Sequence, residues 1–89
     1  MKAVITVIGK DSVGILANVS AVCAKNNVNI TDVTQSVQQD VFAMIMMADI
    51  SGCSVEFSDF VDQMTLLGEQ TGMTIYVTHE DLFNSMHRI

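Results

Sequence analysis

The sequence predicts an α+β sandwich in the order β-α-β-β-α-β. Three observations carry this. Two β-branched, almost wholly apolar runs stand at residues 2–8 and 41–50, two mixed runs at 28–38 and 73–79, and two amphipathic stripes at helical spacing lie between them. In the split arrangement of two right-handed βαβ halves, the first and third strands are central and the second and fourth are edges. The oily and mixed runs fall in those places. The expected fold is therefore ferredoxin-like: a four-stranded antiparallel sheet, two helices on one face, and a short C-terminal helix.

Residues 2–8 (KAVITVI) predict a strand buried on both faces and ended by Gly9. Asp11 or Ser12 can cap the helix that follows. On it Ile15, Val19, Val22 and Cys23 form the apolar stripe, and Asn26-Asn27 is a left-handed stop. Residues 28–38 alternate with a phase slip, Val28 and Ile30 falling on one face and Val33 and Val37 on the other. A bulge near Asp32 restores the register. Gln39-Asp40 makes the turn of a hairpin into 41–50. Ser54 is the expected N-cap of a second helix with its stripe at Phe57, Phe60, Val61, Met64 and Leu67, stopped by Gly72. Residues 73–79 alternate as a half-exposed edge strand, and Leu82, Phe83, Met86 and Ile89 share one face of a terminal helix.

With 89 residues, the chain is expected to be one domain, 1–89, with ligand sites at edges, loops or interfaces rather than in a deep pocket. A hydrophobic fraction of 49% excludes disorder and suggests an apolar surface covered by a second copy. Ten acidic residues stand against the unclustered Lys2, Lys10, Lys25 and Arg88, a net charge of −6. That balance argues against nucleic acid and against anionic membranes, since both need clustered cations. Cys23 and Cys53 read as reduced thiols, and with neither signal segment nor membrane span in evidence a cytoplasmic location is expected.

No enzyme is expected, because the sequence carries no catalytic set. His79 and His87 read as a strand-end and a helix-end histidine rather than metal ligands, and no cofactor motif is present. Asp59, Asp62 and Glu69 read as a solvated helix face, and Met44, Met46 and Met47 mainly as core. Acylphosphatases and RNA-recognition domains share the topology. The phosphate-loop arginine of the first and the basic and aromatic strand positions of the second are missing here.

The junction Gly9-Lys10-Asp11-Ser12-Val13-Gly14-Ile15-Leu16, followed after the helix by Asn26-Asn27-Val28-Asn29-Ile30, resembles the ACT domain, an amino-acid-sensing regulatory module. Its usual signature is D-x-P-G-x-L opening the first helix and an N-I-like pair starting the second strand. The likeness spans nearly the whole chain. It is nearest to stand-alone single-ACT proteins that begin G-K-D-x-V-G-I, and extends to the ACT domains of formyltetrahydrofolate deformylases and glycine-cleavage repressors. Val13 stands where the family commonly has proline. The resemblance implies a small amino-acid-like ligand held at Asp11, Ser12, Val13, Gly14, Ile15, Leu16, Asn29 and Ile30, at the interface of a homodimer. The residues allow it: free helix-start N–H groups hold a carboxylate, Asp11 accepts from an ammonium, and Asn29 donates and accepts. The same residues also serve as ordinary cap, packing and turn positions. The alternative function is a protein-interaction subunit that docks a partner through edge strands or helices.

Overall fold

A computed structural model describes residues 1–10 and 14–81. The elements are β1 (Lys2–Lys10), α1 (Ile15–Lys25), β2 (Asn29–Gln38), β3 (Val41–Asp49), α2 (Phe57–Thr71) and β4 (Thr74–His79). The four strands form one antiparallel sheet in the order β2-β3-β1-β4. The oily strands are thus central and the mixed strands are edges, as composition required. The expected terminal helix lies outside the described residues, beyond a helical turn at Glu80–Asp81.

The core lies between the sheet and the two helices. Ala3, Ile5 and Val7 of β1 face Phe42, Met44, Met46 and Ala48 of β3, and Ile15, Val19 and Cys23 of α1 with Phe60 and Met64 of α2 close over them. Met44 and Met46 are completely buried, while Met47 points to the other face of the sheet and is only half-buried. α1 packs beside β2, and α2 beside β4. The slip in β2 is a bulge between Ile30 and Asp32. It puts Ile30, Val33 and Val37 opposite Ala48, Met46 and Phe42, all on the helix side of the sheet.

The structure corrects three expectations. β1 does not stop at Gly9: Gly9 pairs with Phe42 and the strand continues to Lys10. Gly9 is there for space, because a β-carbon would lie 2.5 Å from the Met73 sulfur. β1 is buried on both faces only in its first half: on the side away from the helices Val4 is completely buried, whereas Ile8 is exposed. Ser54 does not cap α2. Its N–H donates to the Asn26 carbonyl at 2.9 Å, and the helix starts at Phe57 with Glu56 as N-cap.

The stops are as expected: Asn27 has φ 59° and Gly72 φ 72°, both left-handed. Asn26 does more than stop α1. It is buried, its side-chain amide donates to the Val22 carbonyl at 2.8 Å and to Gln63 Oε1 at 2.7 Å, and Gln63 Nε2 donates back at 3.3 Å. This reciprocal amide pair ties the end of α1 to the middle of α2. The neighbouring Asn27 amide donates to the Gly52 carbonyl at 2.9 Å, securing the β3–α2 loop to the same corner.

Candidate functional site

The site begins where β1 hands over to α1. Gly14, rather than the expected Asp11 or Ser12, is the N-cap of α1, in the left-handed conformation at φ 84°, and as glycine it has no side chain to cap the helix start. Its carbonyl accepts the first helical bond, from the Asn18 N–H at 2.9 Å. A β-carbon at Gly14 would have no atom within 4 Å, so the residue is a glycine for its backbone angle and opens onto clear space. The α1 first turn carries no acidic residue. The first-turn N–H groups and the positive end of the helix dipole lie at this end of α1. Ile15 is buried in the core and contributes only backbone here, whereas Leu16 is exposed. Asp11, Ser12 and Val13 lie outside the described residues.

The other expected half of the site is elsewhere. Asn29 and Ile30 pair with Asp49 and Ala48, at the end of the sheet where Lys2 begins β1. Lys10, which leads into the loop, pairs with Val41 at the opposite end, where Gln38 ends β2. At about 3.3 Å per residue the two ends are roughly 26 Å apart, so one chain does not bring Gly14 and Asn29 together. Asn29 is exposed and Ile30 half-buried.

β2 itself is an open edge. After the bulge, the Val33–Gln38 stretch (VTQSVQ) has no charge and no proline, and Val33 and Val37 are exposed although they point to the helix side. Strand edges are usually blunted by charges, prolines or bulges. On β2 the bulge between Ile30 and Asp32 and the charge of Asp32 both come before this stretch.

Among the described residues no group of three or more His, Cys, Asp or Glu converges to hold a metal. Among the same residues no helix is long and apolar enough to cross a membrane. The His79 ring lies 4.8 Å from that of Phe57, a stack that holds the end of β4 to the start of α2. Asp59, Asp62 and Glu69 are exposed. Asp49 is held below the usual carboxylate range by hydrogen bonds from Ser51, whose N–H donates at 2.9 Å. The N-terminal amine donates to the Ser51 hydroxyl at 2.8 Å and completes that corner. Cys23 and Cys53 are both free. Burial, and then the nearby Cys53, push the Cys23 thiol up to about 11, so it stays protonated and inert.

A ferredoxin-like sandwich with a glycine-opened first helix beside an unprotected edge strand is the class of protein seen here. The chain belongs to the ACT domain family, whose model matches residues 2–78. It is 44% identical over 88 residues to a UPF0237 protein of Methanocaldococcus jannaschii, covering 99% of this chain and 98% of that protein. Among solved structures it is similar to an ACT domain protein from Streptococcus pneumoniae, with a TM-score of 0.81 at 32% identity over 98% of both chains. A formyltetrahydrofolate deformylase from Pseudomonas syringae shares the fold with a TM-score of 0.78 at 23% identity, over 88% of this chain and 27% of that one. A glycine cleavage system transcriptional repressor shares it at 0.69 and 23%, over 89% of this chain and 47% of that one.

Proposed function

We propose that the chain is a regulatory ligand-binding module, not an enzyme, which holds an amino-acid-like metabolite at the interface of a homodimer. The observation that carries this is Gly14: a left-handed N-cap that, as glycine, puts no cap side chain of its own on the first N–H groups of α1 and has no described atom within 4 Å of where a β-carbon would stand. A ligand carboxylate would take those N–H groups, and Asp11 would accept from its ammonium. The cytoplasm is the compartment that suits two free thiols.

The dimer supplies what one chain lacks. Antiparallel pairing of β2 with its copy about a centre near Val33–Thr34 sets the partner's Asn29 beside Gln38. That is the end of the sheet from which the loop rises to α1, and α1 is the helix beside β2. The site would then combine Asp11–Leu16 of one chain with Asn29 and Ile30 of the other. Ligand binding would couple to dimer geometry, and through it to whatever protein the module regulates.

The test is thermal unfolding against the twenty amino acids and folate-pathway metabolites, with Gly14→Val as control. A ligand at 100-fold excess over its dissociation constant stabilises by about 2.7 kcal/mol. The expected result is a shift for one compound that the control loses, because the valine side chain fills the open space. A shift that survives Gly14→Val would refute this placement, and no shift for any compound would favour the second reading.

That second reading, a protein-interaction subunit without small ligand, is favoured by one feature. A shallow groove of about 180 Å³ runs between the helices, lined by Val22, Lys25, Gln63, Leu66, Leu67 and Gln70, with Leu66 exposed. Capture of one defined partner, abolished by Leu66→Lys, would support it.

A further inference from the structure

The sheet has a second face. Opposite the helices, its centre is apolar: Ile8 is 40% exposed, Ile45 39%, Val41 54% and Tyr76 57%. Val4, completely buried, and the half-buried Met47 lie beside them, and threonines and serines fill most of the remaining central positions. One row across the sheet reads Thr34, Ile45, Thr6, Tyr76. Among the described residues, charges on this face stand only at its rim, Lys2 and Lys10 at the ends of β1, Asp32 on β2 and Asp49 at the end of β3. An apolar centre inside a polar rim is the anatomy of an interface.

We infer that this sheet face docks a second copy of the same chain, by an interface separate from the β2 edge. Charge decides the occupant. The helix layer carries Glu56, Asp59, Asp62 and Glu69 on α2 and its N-cap against Lys25 on α1, whereas the sheet face balances two lysines with two aspartates. In a chain of net charge −6, two copies meeting through their helix layers repel, and two meeting through their sheets do not. The rim is also self-complementary. A twofold axis along the strands lays β1 over the partner's β3 and sets Lys2 against the partner's Asp49, twice. An axis across the strands would instead set Lys2 against the partner's Lys10.

The area suffices. With strands about 4.8 Å apart and about 3.3 Å per residue, four strands and nine residues give a face of roughly 570 Å². Two whole faces of this size would bury at most roughly 1,100 Å², about the ~1,000 Å² that a specific interface needs. The same axis lays the partner's β4 over β2. That brings the partner's Tyr76 over Thr34, one row from a hollow of about 410 Å³ lined by Ser36, Gln38, Gln39, Val41 and Ala43.

Tyr76 is itself the reporter. The chain has one tyrosine and no tryptophan, and Tyr76 sits on the far side of the sheet from β2. Edge pairing through β2 leaves it open; stacking of sheets covers it. The experiment is quenching of tyrosine fluorescence by acrylamide, with light-scattering mass, for the whole chain and for Ile45→Lys and Val41→Lys, each checked for native circular dichroism. The expected result is a Tyr76 shielded in the associated species. Its quenching constant should rise to that of free tyrosine, with a halving of mass, in either variant. Using two variants guards against one that fails to fold. Three outcomes would overturn the inference. The first is a monomer at all concentrations. The second is an associated species in which Tyr76 is freely quenched. The third is a Tyr76 that stays shielded in both folded variants, which would mean that residues of its own chain cover it.

Discussion

Gly68 sits in the last turns of α2, where a glycine is ordinarily a weakness. In an exposed helix interior, replacing glycine with alanine gains about 1 kcal/mol. Here the sign should reverse. A β-carbon at Gly68 would lie 2.7 Å from the Met73 carbonyl oxygen and 3.4 Å from the Ile75 side chain. The 2.7 Å contact is to backbone, which cannot rotate away. Nor can the helix withdraw freely, since the Gly68 carbonyl accepts the Met73 N–H at 2.9 Å and so binds α2 to the start of β4. Relieving the contact means moving α2 off the sheet by several tenths of an ångström and lengthening that bond. Overpacking of this kind costs about 1–3 kcal/mol, and a weakened hydrogen bond about 1 more. After subtraction of the helix-propensity gain, Gly68→Ala should destabilise by about 1–3 kcal/mol. For a domain of this size that lowers the melting temperature by roughly 5–20 °C. The assay is thermal unfolding followed by circular dichroism, with the exposed Gln70→Ala as helix control. A Gly68→Ala protein that melts at or above the wild type would refute the claim that α2 and β4 meet through this glycine.

Two other perturbations test the packing and the buried thiol. Asn26→Ala and Gln63→Ala should each destabilise by about 1–3 kcal/mol, because each strands a partly buried amide. The double variant should cost less than the sum, by a coupling of about 1 kcal/mol in a denaturant double-mutant cycle; strict additivity would mean the pair contributes nothing as a pair. Cys23 ties stability to alkaline pH. Its thiol titrates near 11 when folded against an ordinary 9.0, so between those values the unfolded chain loses a proton that the folded chain keeps. Stability should therefore be intact below pH 9 and fall by about 2 kcal/mol as pH rises to 11. Melting curves for wild type and Cys23→Ala should diverge less as pH rises through that window, and parallel curves would contradict the raised value.

The architecture was legible because each strand's place in the sheet leaves a mark on its composition. β1 and β3 sit between neighbours and read as apolar runs; β2 and β4 have one neighbour and read as mixed. The bulge was visible as a phase slip near Asp32, because a two-residue period allows no other way to return Val33 and Val37 to the face of Ile30. The misplaced details all depend on partners distant in sequence. Ser54 is a good cap by type, but its backbone is tied to the Asn26 carbonyl and the helix begins only at Phe57, two residues beyond the reach of its position. Gly9 is a strand breaker by type, but Met73 needs the space beside it. The Asn26–Gln63 pair spans 37 residues and has no local signal. Of the buried polar groups it is the one a reader of sequence would take for a plain turn residue.

The candidate site shows the same limit in a sharper form. A family motif lists Asp11–Leu16 and Asn29–Ile30 as neighbours in a pattern, and only 18 positions separate Asp11 from Asn29. The strand register nevertheless places the two halves at opposite ends of the sheet, because α1 runs back against the direction of β1 before β2 begins. A crossover helix always has this effect: what lies before it and what lies after it emerge at opposite ends of parallel strands. Residues on both sides of the helix can therefore share one ligand only if a second chain reverses the direction of β2. An antiparallel edge pairing does that, and the uncharged Val33–Gln38 edge is where it can form. If the motif marks a ligand site at all, dimerisation through β2 is then a geometric requirement of binding. Disrupting that edge with Thr34→Pro should abolish a ligand-induced thermal shift even with every residue of the motif intact. A shift that persisted in a folded Thr34→Pro variant no longer paired through β2 would show that the loop binds alone, and that Asn29 belongs to the turn.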